Sequence, residues 1–215
     1  SDVAVSEVLI IGAGFGGLGT AIRLRQQGIS DIVILERANE VGGTWRDNTY
    51  PGAACDIPSN LYSYSFAPNP NWSRAYSGSG EILGYARHLA DSNGLRQLIR
   101  FGRTVTEAAF DETEGHWVVT TSAGEVFRGR SLVMASGGLA NPSLPKIPGI
   151  ESFEGKRIHS ARWDHDYDLK GKRVAVIGTG ASAIQIIPEL VKVAEKVTVF
   201  QRTPGWVMPR MDYRS

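Results

Sequence analysis

Apolar residues along this chain gather in short continuous runs that alternate with glycine-rich turns and with stretches of helical spacing. Val8-Leu9-Ile10-Ile11 is one such run, of the kind shown by a parallel strand buried on both faces. It leads into Gly12-Ala13-Gly14-Phe15-Gly16-Gly17. Leu18, Ala21, Ile22 and Leu24 then mark the apolar side of a helix, with Gly28 as its stop. Ile32-Val33-Ile34-Leu35 predicts the next strand, which ends at Glu36. Ile82, Leu83, Ala86, Leu89 and Ala90 predict a helix from Gly80 to about Asp91, closed by Asn93-Gly94. Three short strands follow, 104–110, 116–121 and 125–128, with turns at 111–115 and 122–124. The run 131–138 predicts a separate apolar strand whose small terminal residues let backbone approach a bound molecule. Prolines at 142, 145 and 148 mark a linker. A strand over Arg173–Ile177, a turn Gly178-Thr179-Gly180-Ala181-Ser182-Ala183, a helix and a strand over 197–200 then repeat the opening order. The apolar side of that helix is read as Ile184, Ile187, Leu190 and Val191.

The first turn fits G-x-G-x-x-G between strand and helix, and each glycine has a mechanical task. Gly12 permits the tight turn, Gly14 lets backbone approach a pyrophosphate, and Gly17 lets helix and strand pack closely. The helix N-terminus offers N–H groups to phosphate, and Glu36 can accept ribose hydroxyls. Gly178 lies 166 residues after Gly12, and the same step from Glu36 reaches Arg202. A guanidinium in place of the acid suits a 2′-phosphate, so the first unit reads as an adenine dinucleotide site without that phosphate and the second as an NADP site; two such units in one chain suggest a flavoenzyme with FAD in the first. A solvated surface arginine is the alternative for Arg202. The fold expected is α/β, with two Rossmann-like dinucleotide-binding units, both incomplete, and a small antiparallel β-meander in the FAD part. The domains expected are 1–143 for FAD, a linker 144–172, and 173–215 for NADP.

Composition narrows the partners. Lys and Arg number 23 against 22 Asp and Glu, a net charge of +1, so no charge excess steers the chain to nucleic acid or an acidic membrane. Hydrophobic residues at 42% and charged residues at 21% describe an ordinary globular chain. The apolar stretch 8–22 is broken by five glycines and is too short to span a bilayer. The single cysteine, Cys55, excludes an internal disulfide and is read as a buried inert thiol; with no targeting signal, the expectation is a cytoplasmic protein.

Phe153-Glu154-Gly155-Lys156-Arg157-Ile158-His159-Ser160-Ala161-Arg162-Trp163-Asp164 fits F-x-G-x-x-x-H-[ST]-x-x-W-[PD]. Gly42-Gly43-Thr44-Trp45 through Tyr50-Pro51-Gly52 to Asp56 fits a second pattern, [AG]-G-x-W-x-x-x-x-[FY]-P-[GM]-x-x-x-D. Both resemble class B Baeyer–Villiger monooxygenases, over nearly the whole chain. The resemblance implies that NADPH reduces FAD, that the reduced flavin captures O2 as a C4a-peroxide, and that this attacks a small ketone to give an ester or lactone. It implies that Asp56 is an active-site carboxylate pairing with an arginine beside the flavin. Trp45 and Tyr62 match flavin-side positions, with Thr44 adjoining; Phe15, Arg37, Gly43 and Val105 are assigned to the same cofactor. Thr179, Gly180, Ser182, Ala183, Gln185, Arg202 and Thr203 match NADP positions. Phe153, Gly155, His159, Trp163 and Asp164 belong to a fingerprint that couples domain movement to cofactor position.

Plainer readings stand beside these. Asp56 can be an N-cap or turn carboxylate, and Trp45, Tyr62 and Trp163 can be packing aromatics. His159, Asp164, His165, Asp166 and Asp168 cluster without any standard metal spacing, so no metal is expected. His88 and His116 are read as solvated. Family members are longer, so the 215 residues are expected to be an N-terminal part that binds FAD weakly, NADPH more weakly, and does not turn over. The alternatives are a flavin-containing monooxygenase oxidising nitrogen and sulfur, and a non-catalytic NADP-binding protein.

Overall fold

A computed structural model describes residues 4–213. The chain divides into two compact units, Ser1–Arg46 with Leu83–Ala140, and Asp47–Ile82 with Asn141–Ser215. The strands of the first unit are β1 (Val5–Ile11), β2 (Ile32–Leu35), β3 (Ile99–Arg100), β4 (Val105–Asp111), β5 (His116–Thr121) and β6 (Val126–Met134). They form one sheet in the order β3-β2-β1-β6-β5-β4. β3, β2, β1 and β6 run parallel, while β6, β5 and β4 are antiparallel neighbours. Such a mixed sheet, with helix α1 (Phe15–Gln26) between β1 and β2, is an α/β fold of Rossmann-like topology.

Two predicted strands, 125–128 and 131–138, are one continuous strand, β6. Its first half closes the meander against β5 and its second half lies parallel to β1, with Ile11 opposite Met134. Arg128-Gly129-Arg130 reads as a break in the sequence, yet Gly129 is what permits the crossing. A Cβ there would stand 2.5 Å from Leu9 Cγ. The segment Val8–Ile11 is buried on both faces, as the apolar run predicts. Leu9, Ile11, Leu35 and Val119 form a core cluster to which Val33, Val105, Phe127 and Leu132 add. Leu18, Ala21 and Ile22 bury the inner side of α1; the larger two contribute about 1.5–3 kcal/mol each. Gly28, at φ +87°, follows the C-cap Gln27 and stops α1 as expected. His116 is buried, not solvated, because it opens β5 directly opposite Asp111; His88 is exposed.

Helices α2 (Thr44–Asp47) and α3 (Ser79–Ser92) complete the first half of the chain. The second unit contains β7 (Arg173–Ile177), α4 (Ala181–Val191) and β8 (Lys196–Phe200), a parallel βαβ unit. Its helix buries Ala183, Ile186 and Leu190, whereas Ile184 and Val191 are exposed at 43% and 63%. The predicted apolar side was thus rotated. Ile184, Ile186 and Ile187 are crowded into one turn, so spacing alone selects no face. Packing selects it instead. Tyr50 and Ala53 join Ile186 and Leu190 in a cluster extended by Trp163, Leu169, Val174, Val176 and Val197. This cluster is why residues 47–82 group with the second glycine turn. Among the described residues no helix is long and apolar enough to cross a membrane.

Candidate cofactor-binding sites

In the first unit the turn after β1 is built by backbone geometry that its glycines require. Gly12 adopts φ +105°, and a Cβ there would lie 2.5 Å from the Ala135 carbonyl oxygen. A Cβ on Gly17 would fall 1.8 Å from the Gly12 oxygen, so the third glycine lets α1 close onto the turn. Gly14 is the N-cap of α1, and no side chain caps that helix. The loop that follows β2 returns to this point. The Gly42 N–H donates to the Ala13 carbonyl at 3.0 Å, and a Cβ on Gly43 would stand 3.1 Å from Gly14 Cα. Thr44 is exposed and Trp45 half-buried on α2; Phe15 lies 6.0 Å from Tyr85, ring to ring.

Glu36 directly follows β2 and is buried. One carboxylate oxygen accepts the Ala13 N–H at 2.8 Å, and the other accepts Ala38 N–H at 2.9 Å and the Arg46 guanidinium at 3.1 Å. An ionised carboxylate offers about four acceptor sites, which leaves one for a further donor on the oxygen facing the turn. Arg46 also donates to the Glu40 carbonyl at 2.7 Å. Sequence reading missed Arg46, which lies inside the G-G-x-W pattern at a position the pattern leaves open. Arg37 donates to the Ala140 carbonyl at 2.7 Å, and Val105 packs on the core cluster.

The second unit repeats the turn with more room. Gly178 has φ +107°, nearly that of Gly12, and its N–H donates to the Phe200 carbonyl as the Gly12 N–H donates to Leu35. Gly180 is the uncapped N-cap of α4, and a Cβ on Gly178 or Gly180 would meet nothing within 4 Å. Strand register corrects the equivalence drawn by counting. Ile11 pairs with Leu35 and Glu36 follows; Ile177 pairs with Phe200 and Gln201 follows. The counterpart of Glu36 is therefore Gln201, and Arg202 stands where Arg37 does. The second βαβ unit is one residue shorter in its crossover, which a fixed offset cannot register. After the second unit's last strand a neutral amide thus stands where the first has an acid, with an exposed guanidinium next to it. Thr203 is exposed beside it, Thr179 and Ser182 are half-buried at the turn, and Ala183 is buried beneath it.

Asp56 and Tyr62 lie in the same unit as the second turn. Asp56 is exposed and accepts no hydrogen bond from the described residues, so it is neither an N-cap nor a turn carboxylate. Its neighbour Cys55 is buried, with its N–H on the Ser77 carbonyl and its thiol 3.7 Å from the Ser59 hydroxyl. Tyr62 is half-buried. Gln185, placed on the NADP side by sequence, turns its carboxamide instead to Tyr50 and Ala54.

The fingerprint is a folded element of this unit. The Phe153 ring lies over Gly155, where a Cβ would be 2.5 Å from it. His159 Nδ1 accepts the Ala161 N–H at 3.1 Å, which leaves Nε2 as the protonated nitrogen of the neutral ring. Trp163 packs on the Tyr50 cluster. The Lys156 ammonium, 2.5 Å from Asp164, holds that carboxyl below the usual range, and Asp164 in turn raises Lys156. His165 is engaged by the Thr49 hydroxyl at 2.8 Å.

Two uncapped helix N-termini behind glycine turns, a buried carboxylate with one open acceptor site, and an exposed guanidinium fit two adenine dinucleotides. Residues 9–215 match the model of the family described as pyridine nucleotide-disulphide oxidoreductase. The chain is 57% identical over 205 residues to a Baeyer–Villiger monooxygenase of Streptomyces coelicolor, covering 95% of this chain and 39% of that protein. A crystal structure of cyclohexanone monooxygenase from Rhodococcus sp. Phi1 bound to NADP+ superposes with a TM-score of 0.93 at 39% identity, over 100% of this chain and 41% of that one. A crystal structure of OTEMO in complex with FAD and NADP does so at 0.91 and 37%, over 100% and 42%. The chain belongs to the class B flavin-dependent Baeyer–Villiger monooxygenases. It spans about two fifths of the length of these relatives. The disulphide of the matching family's description has no counterpart here, since Cys55 is the single cysteine.

Proposed function

We propose that this chain supplies FAD- and NADP-binding parts of an NADPH- and O2-dependent monooxygenase that inserts oxygen beside a ketone carbonyl, giving an ester or lactone. The observation that carries the reading is the contrast between the two turns: Glu36 follows one, and Gln201-Arg202 follows the other. FAD held at the first would supply hydride acceptance and oxygen activation. The first turn and α1 bind its pyrophosphate, Glu36 takes a ribose hydroxyl, and Arg46 neutralises Glu36 so that a carboxylate is tolerated near phosphate. The second turn binds NADPH, with Arg202 on the 2′-phosphate and Gln201 placing no like charge beside it. Asp56 remains available to hold a guanidinium that stabilises developing oxyanion charge. The fingerprint positions residues and moves no proton.

Incubating the protein, expressed from its complete gene, with NADPH and a panel of ketones under labelled O2 tests this. Esters carrying one labelled atom are the expected products. Sulfoxides and N-oxides without any ester would assign the protein to heteroatom oxygenation, and NADP binding without any product would make it a binding protein.

A further inference from the structure

Gln185 is the fifth residue of α4 after the second glycine motif, and its side chain is committed within the unit. The carboxamide oxygen accepts the Tyr50 hydroxyl at 2.9 Å and the Ala54 N–H at 3.3 Å, while the amide nitrogen donates to the Ala54 carbonyl at 2.8 Å. Both lone pairs of the oxygen and one of two amide hydrogens are thereby used. Reciprocal pairing with the N–H and C=O of one residue is what a neighbouring antiparallel strand would supply. Here a single side chain supplies it on one side of Ala54, while the other side is held by an antiparallel bridge to Gly78, with Ser79 N–H on the Ala53 carbonyl at 2.8 Å and Cys55 N–H on the Ser77 carbonyl at 3.0 Å. The backbone adds to the fit: a Cβ on Gly52 would lie 2.5 Å from the Gln185 carbonyl oxygen and 3.2 Å from Glu189 Cγ. Tyr50 and Ala53 are buried against Ile186 and Leu190 on the same helix face. Two residues beyond Ala54 comes Asp56, exposed and unengaged by the described residues.

We infer that Gln185 is a positioning residue for Asp56: it fixes the Tyr50–Asp56 segment on α4, and does not serve as a contact to the second nucleotide. The placement of the site carboxylate is then set by the helix that starts at the second glycine turn. This rests on the reading of Asp56 given above, but its test does not need turnover.

Hydrogen exchange of the 50–56 segment reports the clamp in the chain as it stands. Gln185→Ala should speed exchange there at least tenfold, with α1 unchanged and NADP+ affinity altered less than threefold. Tyr50→Phe removes one contact and should speed it by a smaller factor; combined with Gln185→Ala it should add nothing further. Gln185→Glu gives a signature that a filler of space would not. Its carboxylate repels the Ala54 carbonyl at neutral pH, and its protonated form can donate to it. Protection should therefore return as pH falls towards 5, after correction for intrinsic exchange. Wild type, which shares the nearby ionisable groups Tyr50, Glu189 with its partner Lys192, Asp56 and His165, should show no such return. In wild type, one Gln185 side-chain N–H should itself exchange slowly, a reading that needs no variant to fold. Unchanged exchange in Gln185→Ala together with a tenfold or greater loss of NADP+ affinity would overturn the inference, as would a rapidly exchanging Gln185 amide. A protein that holds the loop yet forms no ester would overturn the proposed function alone.

Discussion

The third glycine of the first motif and the second glycine of the second carry different obligations. A Cβ at Gly17 would overlap the Gly12 carbonyl, which is backbone and cannot rotate away. Gly17→Ala should therefore cost about 3 kcal/mol or more in urea unfolding. Gly180 has open space and an ordinary φ of −74°. Gly180→Ala should stay within about 1 kcal/mol of wild type. If the space is for phosphate, the same variant should lose NADP+ affinity by about tenfold or more in calorimetric titration, equivalent to about 1.4 kcal/mol. Arg46 is the residue-scale surprise. It and Glu36 are 13% and 5% exposed, and Glu36 keeps two backbone donors when the guanidinium is lost. Arg46→Met should then cost about 2 kcal/mol, short of the penalty for a wholly unpaired buried charge. It should also weaken FAD binding, measured by quenching of flavin fluorescence, while Arg46→Lys recovers part of both.

The loop from Glu36 to Arg46 is held as an element by Glu40. Its carboxylate takes the Val41 N–H, Arg87 at 3.1 Å and Arg96 at 2.9 Å. Burial pushes this carboxyl up, but the Arg96 hydrogen bond, the Val41 N–H and the charges of Arg96 and Arg87 outweigh it and leave it below the ordinary value. A carboxyl lowered on folding stabilises fully above its unfolded pKa, about 4.3, and loses that contribution as pH falls through the lower folded value. Partial exposure of the pair limits the contribution to about 1 kcal/mol. Glu40→Gln should lower stability at pH 7 by that amount and by progressively less below pH 4, in urea titrations at several pH values. The elements themselves were legible where local pattern decides. β2 and β7 have the bounds the apolar runs predict, and Gly94 at φ +61° follows the end of α3. What pattern could not show was set at a distance. The buried face of α4 was chosen by Tyr50 and Ala53, more than a hundred residues earlier. The match between Glu36 and Gln201 needed strand register, and the union of two predicted strands into β6 needed β1 as partner.

Over the whole molecule the two units are finished to different degrees. β1 buries four successive residues, whereas β7 buries none and leaves Ile177 57% exposed. Val193, Val199 and Phe200 are exposed in the same unit, as is Trp206. Exposed apolar surface of this extent drives association. The 215-residue chain should self-associate at tens of micromolar in sedimentation velocity, and Val199→Lys with Phe200→Lys should return it to monomer without altering the first unit's unfolding.

The double allegiance of β6 has a bearing on how the chain acquires its shape during synthesis. The carbonyl that braces Gly12 belongs to Ala135, and the strand that flanks β1 ends at Met134. A nascent polypeptide displays the glycine turn after β1 but cannot buttress it until more than a hundred further residues have left the ribosome, and so distant a pairing is slow to form. A ribosome stalled before the codon for Val126 should therefore present a protease-sensitive glycine turn, and one stalled well beyond the codon for Ala140, with the whole of β6 outside the exit tunnel, a resistant one.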